Sequence, residues 1–87
     1  MAETITITED QTLILEGGTL YKLEGANLLQ NQTDTELFVS EIEAEADKHR
    51  GFLVLYSQVV YMDNNLGYIK PKEDTQVYVQ TAETASN

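Results

Sequence analysis

Apolar residues recur at every second position along most of this chain, in short segments rich in Val, Ile, Thr and Tyr. An alternation of period two places i and i+2 on one side of an extended backbone, so the pattern predicts β-strands. Eight are expected: Thr4–Ile7, Thr12–Glu16, Leu20–Glu24, Glu36–Glu41, Phe52–Tyr56, Val59–Met62, Leu66–Lys70 and Gln76–Thr81. Turn residues separate them at Glu9-Asp10, Gly17-Gly18, Gly25 with Asn27, the polar run Gln30–Thr35, Asp63-Asn64-Asn65 and Pro71–Thr75. Segments spaced in this way predict an all-β fold, a small antiparallel sandwich or barrel of seven or eight short strands.

The alternation also assigns faces. Ile5 and Ile7 share one side, Leu13 and Leu15 oppose Ile14, and Leu37 and Val39 oppose Phe38. Phe52, Val54 and Tyr56 oppose Leu53 and Leu55, and Val77 and Val79 oppose Tyr78. Large apolar groups thus lie on both sides of several strands, which a two-layer sandwich does not need on its solvent side. Either another chain covers some of these faces, or one or two of the strands are fully internal. Ile5, Ile7, Phe38, Tyr61 and Tyr78 are the candidate partner contacts. The five tyrosines all fall on expected strands, where they serve as core for at least three or, exposed on one face, as a surface for a sugar or a protein.

Length and composition narrow the classes. Eighty-seven residues make one domain, 1–87, with a thin core, and 41% hydrophobic against 23% charged residues is a folding composition. Residues 1–8 are expected as an arm or edge strand and 81–87 as a mobile tail. A net charge of −10 with five scattered basic residues disfavours nucleic acid and anionic membrane, and no apolar run is long enough to span a bilayer. With no cysteine, disulfides, zinc knuckles and thiol catalysis are excluded, so packing or association must hold the domain. Nothing near Met1 resembles a secretory leader, so the chain is expected to fold in a cytosol, and the sequon Asn31-Gln32-Thr33 reads as a polar turn.

The most charged stretch lies between two apolar runs. Ser40-Glu41-Ile42-Glu43 fits a capping box, and the alanines and acids that follow favour a short helix from Glu41 to His49 with Ile42, Ala46 and His49 turned inward. As a strand, the same stretch would place Glu41, Glu43, Glu45 and Asp47 on one face. Aligned carboxylates suit a calcium site or an acid/base pair, but the spacers here are Ile and Ala, the acids are mostly Glu, and so small a sheet has little wall for a cleft. A solvated face is the expectation. His49 stands without a second histidine, a cysteine or a nucleophile motif, and Gly17-Gly18 lacks the lysine and helix of a phosphate cradle. No catalytic residue, metal ligand or cofactor is expected.

The run Leu29-Gln30-Asn31-Gln32-Thr33-Asp34-Thr35-Glu36-Leu37-Phe38-Val39-Ser40 resembles a segment of small tailed-phage virion proteins in which a polar turn leads into a strand. Ala46–Leu55 is similar to the connection and glycine-led strand that follow there, and Leu66–Val79 to their closing pair. Tyr56-Ser57-Gln58 stands where those proteins often carry a Pro-Gly turn. The resemblance implies a structural virion protein, a head decoration (cement) protein or the base of a head fibre, found in the virion after synthesis in the host cytoplasm. It implies the major capsid protein or another virion protein as partner, and a homo-oligomer, a trimer above others. In that setting Ala2–Thr8 is expected to pair with a strand of a neighbouring subunit. The competing class is a stand-alone binding module for carbohydrate or protein, and a neck or tail component is a third.

Overall fold

The computed structural model describes residues 2–62 and 67–81. Nine strands, β1 (Glu3–Thr6), β2 (Gln11–Leu15), β3 (Tyr21–Glu24), β4 (Ala26–Asn31), β5 (Leu37–Ser40), β6 (Phe52–Val54), β7 (Val59–Tyr61), β8 (Tyr68–Pro71) and β9 (Thr75–Thr81), form two sheets, with one helix, α1 (Glu43–Asp47), between β5 and β6. Sheet A runs β1-β3-β8-β5-β6 and sheet B runs β2-β9-β4-β7. The all-β expectation stands. One pairing departs from the antiparallel rule: β1 lies parallel to β3, because the chain crosses to sheet B as β2 before it returns beside β1.

The inner faces pack as alternation demands. Leu37 and Val39 from β5, Ile69 from β8, Leu29 from β4, Val77 and Val79 from β9 and Leu15 from β2 are fully buried. Each such side chain contributes about 1.5–3 kcal/mol, which gives so small a domain its cohesion. Ile7 joins this core at 3% exposure just beyond β1, while Ile5 packs partly buried against it.

Strand β4 is absent from the eight expected, and its residues explain why. Ala26, Leu29 and Asn31 face the core, but the register against β9 shifts between Ala26 and Leu28. A bulge of this kind inserts one residue and flips the alternation, so Gly25, Asn27 and Asn31 read as turn signals. Gly25 is required where the chain leaves sheet A for sheet B: its φ is +90°, and a Cβ there would meet the Ile7 carbonyl oxygen at 2.5 Å.

Other expected boundaries shift. Pro71 closes β8 opposite Leu37 rather than opening a turn, and its missing N–H falls at a strand end where no ladder bond is lost. Tyr56 leaves β6 and enters a turn. The expected Leu66 start of β8, the Asp63–Asn65 turn and the tail after Thr81 lie outside the described residues. Residues Glu3–Thr6 form the edge strand of sheet A, docked on β3 of their own chain through the register Glu3↔Tyr21 to Thr6↔Glu24, rather than a free arm.

Candidate interaction surface

The charged stretch resolves into a lid for the outside of sheet A. Helix α1 packs on β5 and β8, with Ala46 fully buried beneath it. Lys70 on β8 donates to the backbone carbonyl and to Oδ1 of Asp47, both at 3.0 Å, and this ion pair holds the Asp47 carboxyl below its ordinary value. The helix ends in a Schellman arrangement: His49 N–H donates to the Ala46 carbonyl and Arg50 N–H to the Glu45 carbonyl. His49 occupies the left-handed position, φ +57°, that glycine usually takes, and its ring meets Phe38 edge-on at 5.4 Å. Its Nε2 is buried without a hydrogen-bond partner. His49 was expected to turn inward, and its ring does so by packing on Phe38.

Two details of the expected helix change. The capping box does not close, since Ile42 is the N-cap residue and carries no side-chain cap; Ser40 Oγ instead accepts from Ile42 N–H at 3.0 Å. Ile42 therefore faces outward at 54% exposure, because the helix begins two residues late and only Ala46 and His49 turn to the sheet. Glu43 and Asp47 do stack one turn apart, yet each reaches a different partner: Glu43 accepts from the backbone of Ala2, and Asp47 holds Lys70. Among the described residues no cluster of three or more His, Cys, Asp or Glu side chains converges on a common point.

Sheet B presents the opposite character. None of its strands contains a charged residue, although the chain carries fifteen carboxylates. The register places Thr12, Tyr78, Gln30 and Val59 in one row across its outer face, and Gln80, Leu28 and Tyr61 in the next. Among the described residues no helix covers them.

This bare face meets an apolar edge. Strands β6 and β7 end their respective sheets on the same side, joined by the turn Leu55–Gln58. Of the eight large hydrophobics exposed among the described residues, six lie between Phe52 and Tyr61, with Phe52 at 62%, Val59 at 57% and Tyr61 at 70%. An open groove of about 360 Å³ runs between the two strands over Val54, Gln58 and Val60. The opposite edge, β1 and β2, exposes Glu3, Thr4, Thr6 and Thr12, with Ile14 the one large apolar residue there. Natural sheets guard free edges with charge and polarity. The strands of the β6–β7 edge carry no charged residue.

The five residues expected as partner contacts therefore scatter. Tyr61 lies on the apolar edge, and Tyr78 is half-buried in the middle of the uncharged face. Ile7 is in the core, Ile5 lies against it, and Phe38 is under His49, so these three spend their apolar surface inside the chain. Of the tyrosines, Tyr21 alone is buried, Tyr68 and Tyr78 are half-buried, and Tyr56 and Tyr61 are exposed; the expectation of three core rings does not hold. Phe52, Leu53, Leu55 and Val59, exposed on this edge, were not among the expected contacts, although the apolar groups on both sides of Phe52–Tyr56 were a visible signal for the first three. Compared with known proteins, the chain matches no family, no curated protein and no solved structure.

Proposed function

We propose that this chain is a non-enzymatic structural subunit that works by docking its β6–β7 edge against protein, first against copies of itself. The observation that carries this reading is the concentration of exposed apolar side chains between Phe52 and Tyr61 on two edge strands that carry no charged residue. Burying them adds apolar area at about 25 cal/mol per Å² and lets main-chain groups of a free edge pair with another strand. Charge supports the same direction, because two chains of net charge −10 repel wherever carboxylates face one another and meet with least cost at surfaces that carry none.

The resemblance to small tailed-phage virion proteins extends the proposal: the oligomer is a closed ring, a trimer, that sits on the outside of a capsid and stabilises it, with the major capsid protein or another virion protein beneath it. Its acidic, lidded sheet A faces solvent or a basic partner, and no cofactor takes part.

Light scattering over a range of concentrations tests the first step. A mass near three times the 9.8 kDa of one chain is expected, and Val59→Lys should return it to a single chain. A monomer at every concentration, with a mass that Val59→Lys leaves unchanged, removes the self-docking proposal.

A further inference from the structure

The end of sheet B carries a second feature, separate from the apolar edge. Where β4 runs out at Asn31, an open pocket of about 310 Å³ is lined by Gln30, Asn31, Gln32, Tyr56, Ser57 and Gln76. This lies at the lower end of the range that small-molecule sites occupy, about 300–1,000 Å³. No charged side chain lines it.

Three amides form its floor as a relay in one direction. Gln76 Nε2 donates to Gln32 Oε1 at 3.1 Å, Gln32 Nε2 donates to Gln30 Oε1 at 3.4 Å, and Gln30 Nε2 donates to the Ser57 carbonyl at 3.1 Å. Each amide nitrogen keeps a second N–H, and the relay leaves Gln76 Oε1 as an acceptor at its head. The backbone beneath is held in place. Gln32 N–H donates to the Gln76 carbonyl at 2.9 Å, and Gln76 N–H donates to Thr33 Oγ1 at 2.8 Å.

The wall is a strained turn. Gln58 N–H donates to the Leu55 carbonyl, and Ser57 sits at φ +68°, the left-handed position that a type II turn normally gives to glycine. The conformation persists because β4 grips it: Ser57 N–H donates to the Asn31 carbonyl at 2.7 Å, Asn31 N–H to the Gln58 carbonyl at 3.1 Å, and Asn31 Nδ2 to the Val54 carbonyl at 2.9 Å. Strain that neighbouring structure over-determines is a mark of functional sites. What the turn holds in place is Tyr56, 60% exposed, which lines the pocket together with Gln30, Gln32 and Gln76.

We infer that this pocket binds an uncharged saccharide, with a sugar ring against the Tyr56 face and its hydroxyls on the amides of Gln30, Gln32 and Gln76. Sugar hydroxyls both donate and accept, as amides do, and the apolar C–H face of a pyranose matches an aromatic ring. The lack of any ionic partner and the net charge of −10 select against acidic sugars. The inference does not require oligomerisation: Tyr56 is the one pocket residue that also belongs to the exposed apolar edge, and the amides of Gln30, Gln32 and Gln76 lie outside it.

The test is a titration of the full chain, labelled with ¹⁵N, with cellohexaose, maltohexaose and chitohexaose, and with the anionic hexamer of galacturonic acid as control. At least one neutral hexamer is expected to shift the side-chain amides of Gln30, Gln32 and Gln76 saturably. Tyr56→Ala and Gln76→Ala should each weaken that binding tenfold or more, while Tyr61→Ala changes it less than twofold. Both pocket positions are exposed, so unchanged melting temperatures will show that the variants are folded. Absence of a saturable shift with all three neutral hexamers overturns the inference, as does binding that Tyr56→Ala leaves intact.

Discussion

The two sheets share one core and differ in what they do with their backs. Sheet A carries Glu3, Lys22, Glu24 and Lys70 in its strands, pairs Lys22 with Glu24, and is lidded by α1 through Phe38, His49 and the Lys70–Asp47 pair. Sheet B carries no charge in its strands and, among the described residues, no lid. The inner faces of both obey the same requirement to bury apolar area, so nothing about stability calls for the difference outside. That a chain with fifteen carboxylates keeps the strands of one sheet free of them supports the proposed use of that side of the molecule in contact.

The largest effect is expected where the two sheets are joined. Asn31 is fully buried on β4, donates to the Thr35 and Val54 carbonyls, and accepts from Thr33 N–H, so its amide ties sheet B to the strand that edges sheet A. Asn31→Ala removes three hydrogen bonds, one buried and two part-buried, and should cost about 3 kcal/mol, read from urea unfolding. The same burial bars a glycan from Asn31 in the folded chain, although the sequon is not the polar turn expected throughout, since Asn31 ends β4 opposite Val77. Next is the crossing itself. Gly25→Ala puts a methyl group against the Ile7 carbonyl at a φ that L-residues avoid, and a loss of about 2 kcal/mol in the same assay is expected.

The outer faces should then respond unequally. Phe38→Ala removes the ring on which His49 rests and should destabilise by about 1–2 kcal/mol, because sheet A's outer face is packed. Tyr78→Ser, on the uncovered face of sheet B, should change stability by less than about 1 kcal/mol. If both cost the same, sheet B's outer face is packed too and the contrast collapses. The smallest effect concerns pH. The Asp47 carboxyl is held below its ordinary value of 3.8 by Lys70, so the pair contributes stability that is fully present above that value and is lost as pH falls through the lowered one. Thermal melts of the wild type and Asp47→Asn should therefore differ at neutral pH and converge once the pH falls below the lowered Asp47 value.

Much of the fold was legible. Clean alternation in Gln11–Leu15, Leu37–Ser40 and Thr75–Thr81 marks both strands and inner faces, because a period of two leaves a core-facing row on any sheet. Strand β4 was hidden by a bulge, and Tyr56 was read as strand because aromatic residues favour strands while the left-handed conformation of Ser57 has no sequence signature. The candidate surface was half legible. Apolar groups on both sides of Phe52–Tyr56 were visible, but Ile7 and Phe38 looked equally available until the core and α1 claimed them.

By itself, then, the sequence determined the class: one small, acidic, cysteine-free β domain with large apolar groups on both faces of several strands, since composition and periodicity are local properties of the chain. Only the tertiary structure decided which apolar residues remain outside. That depends on which strands end up at an edge, on where a bulge resets the faces and on which sheet the single helix covers. Each of these is set by contacts between residues far apart in the chain, such as Asn31 with Val54 and Asp47 with Lys70.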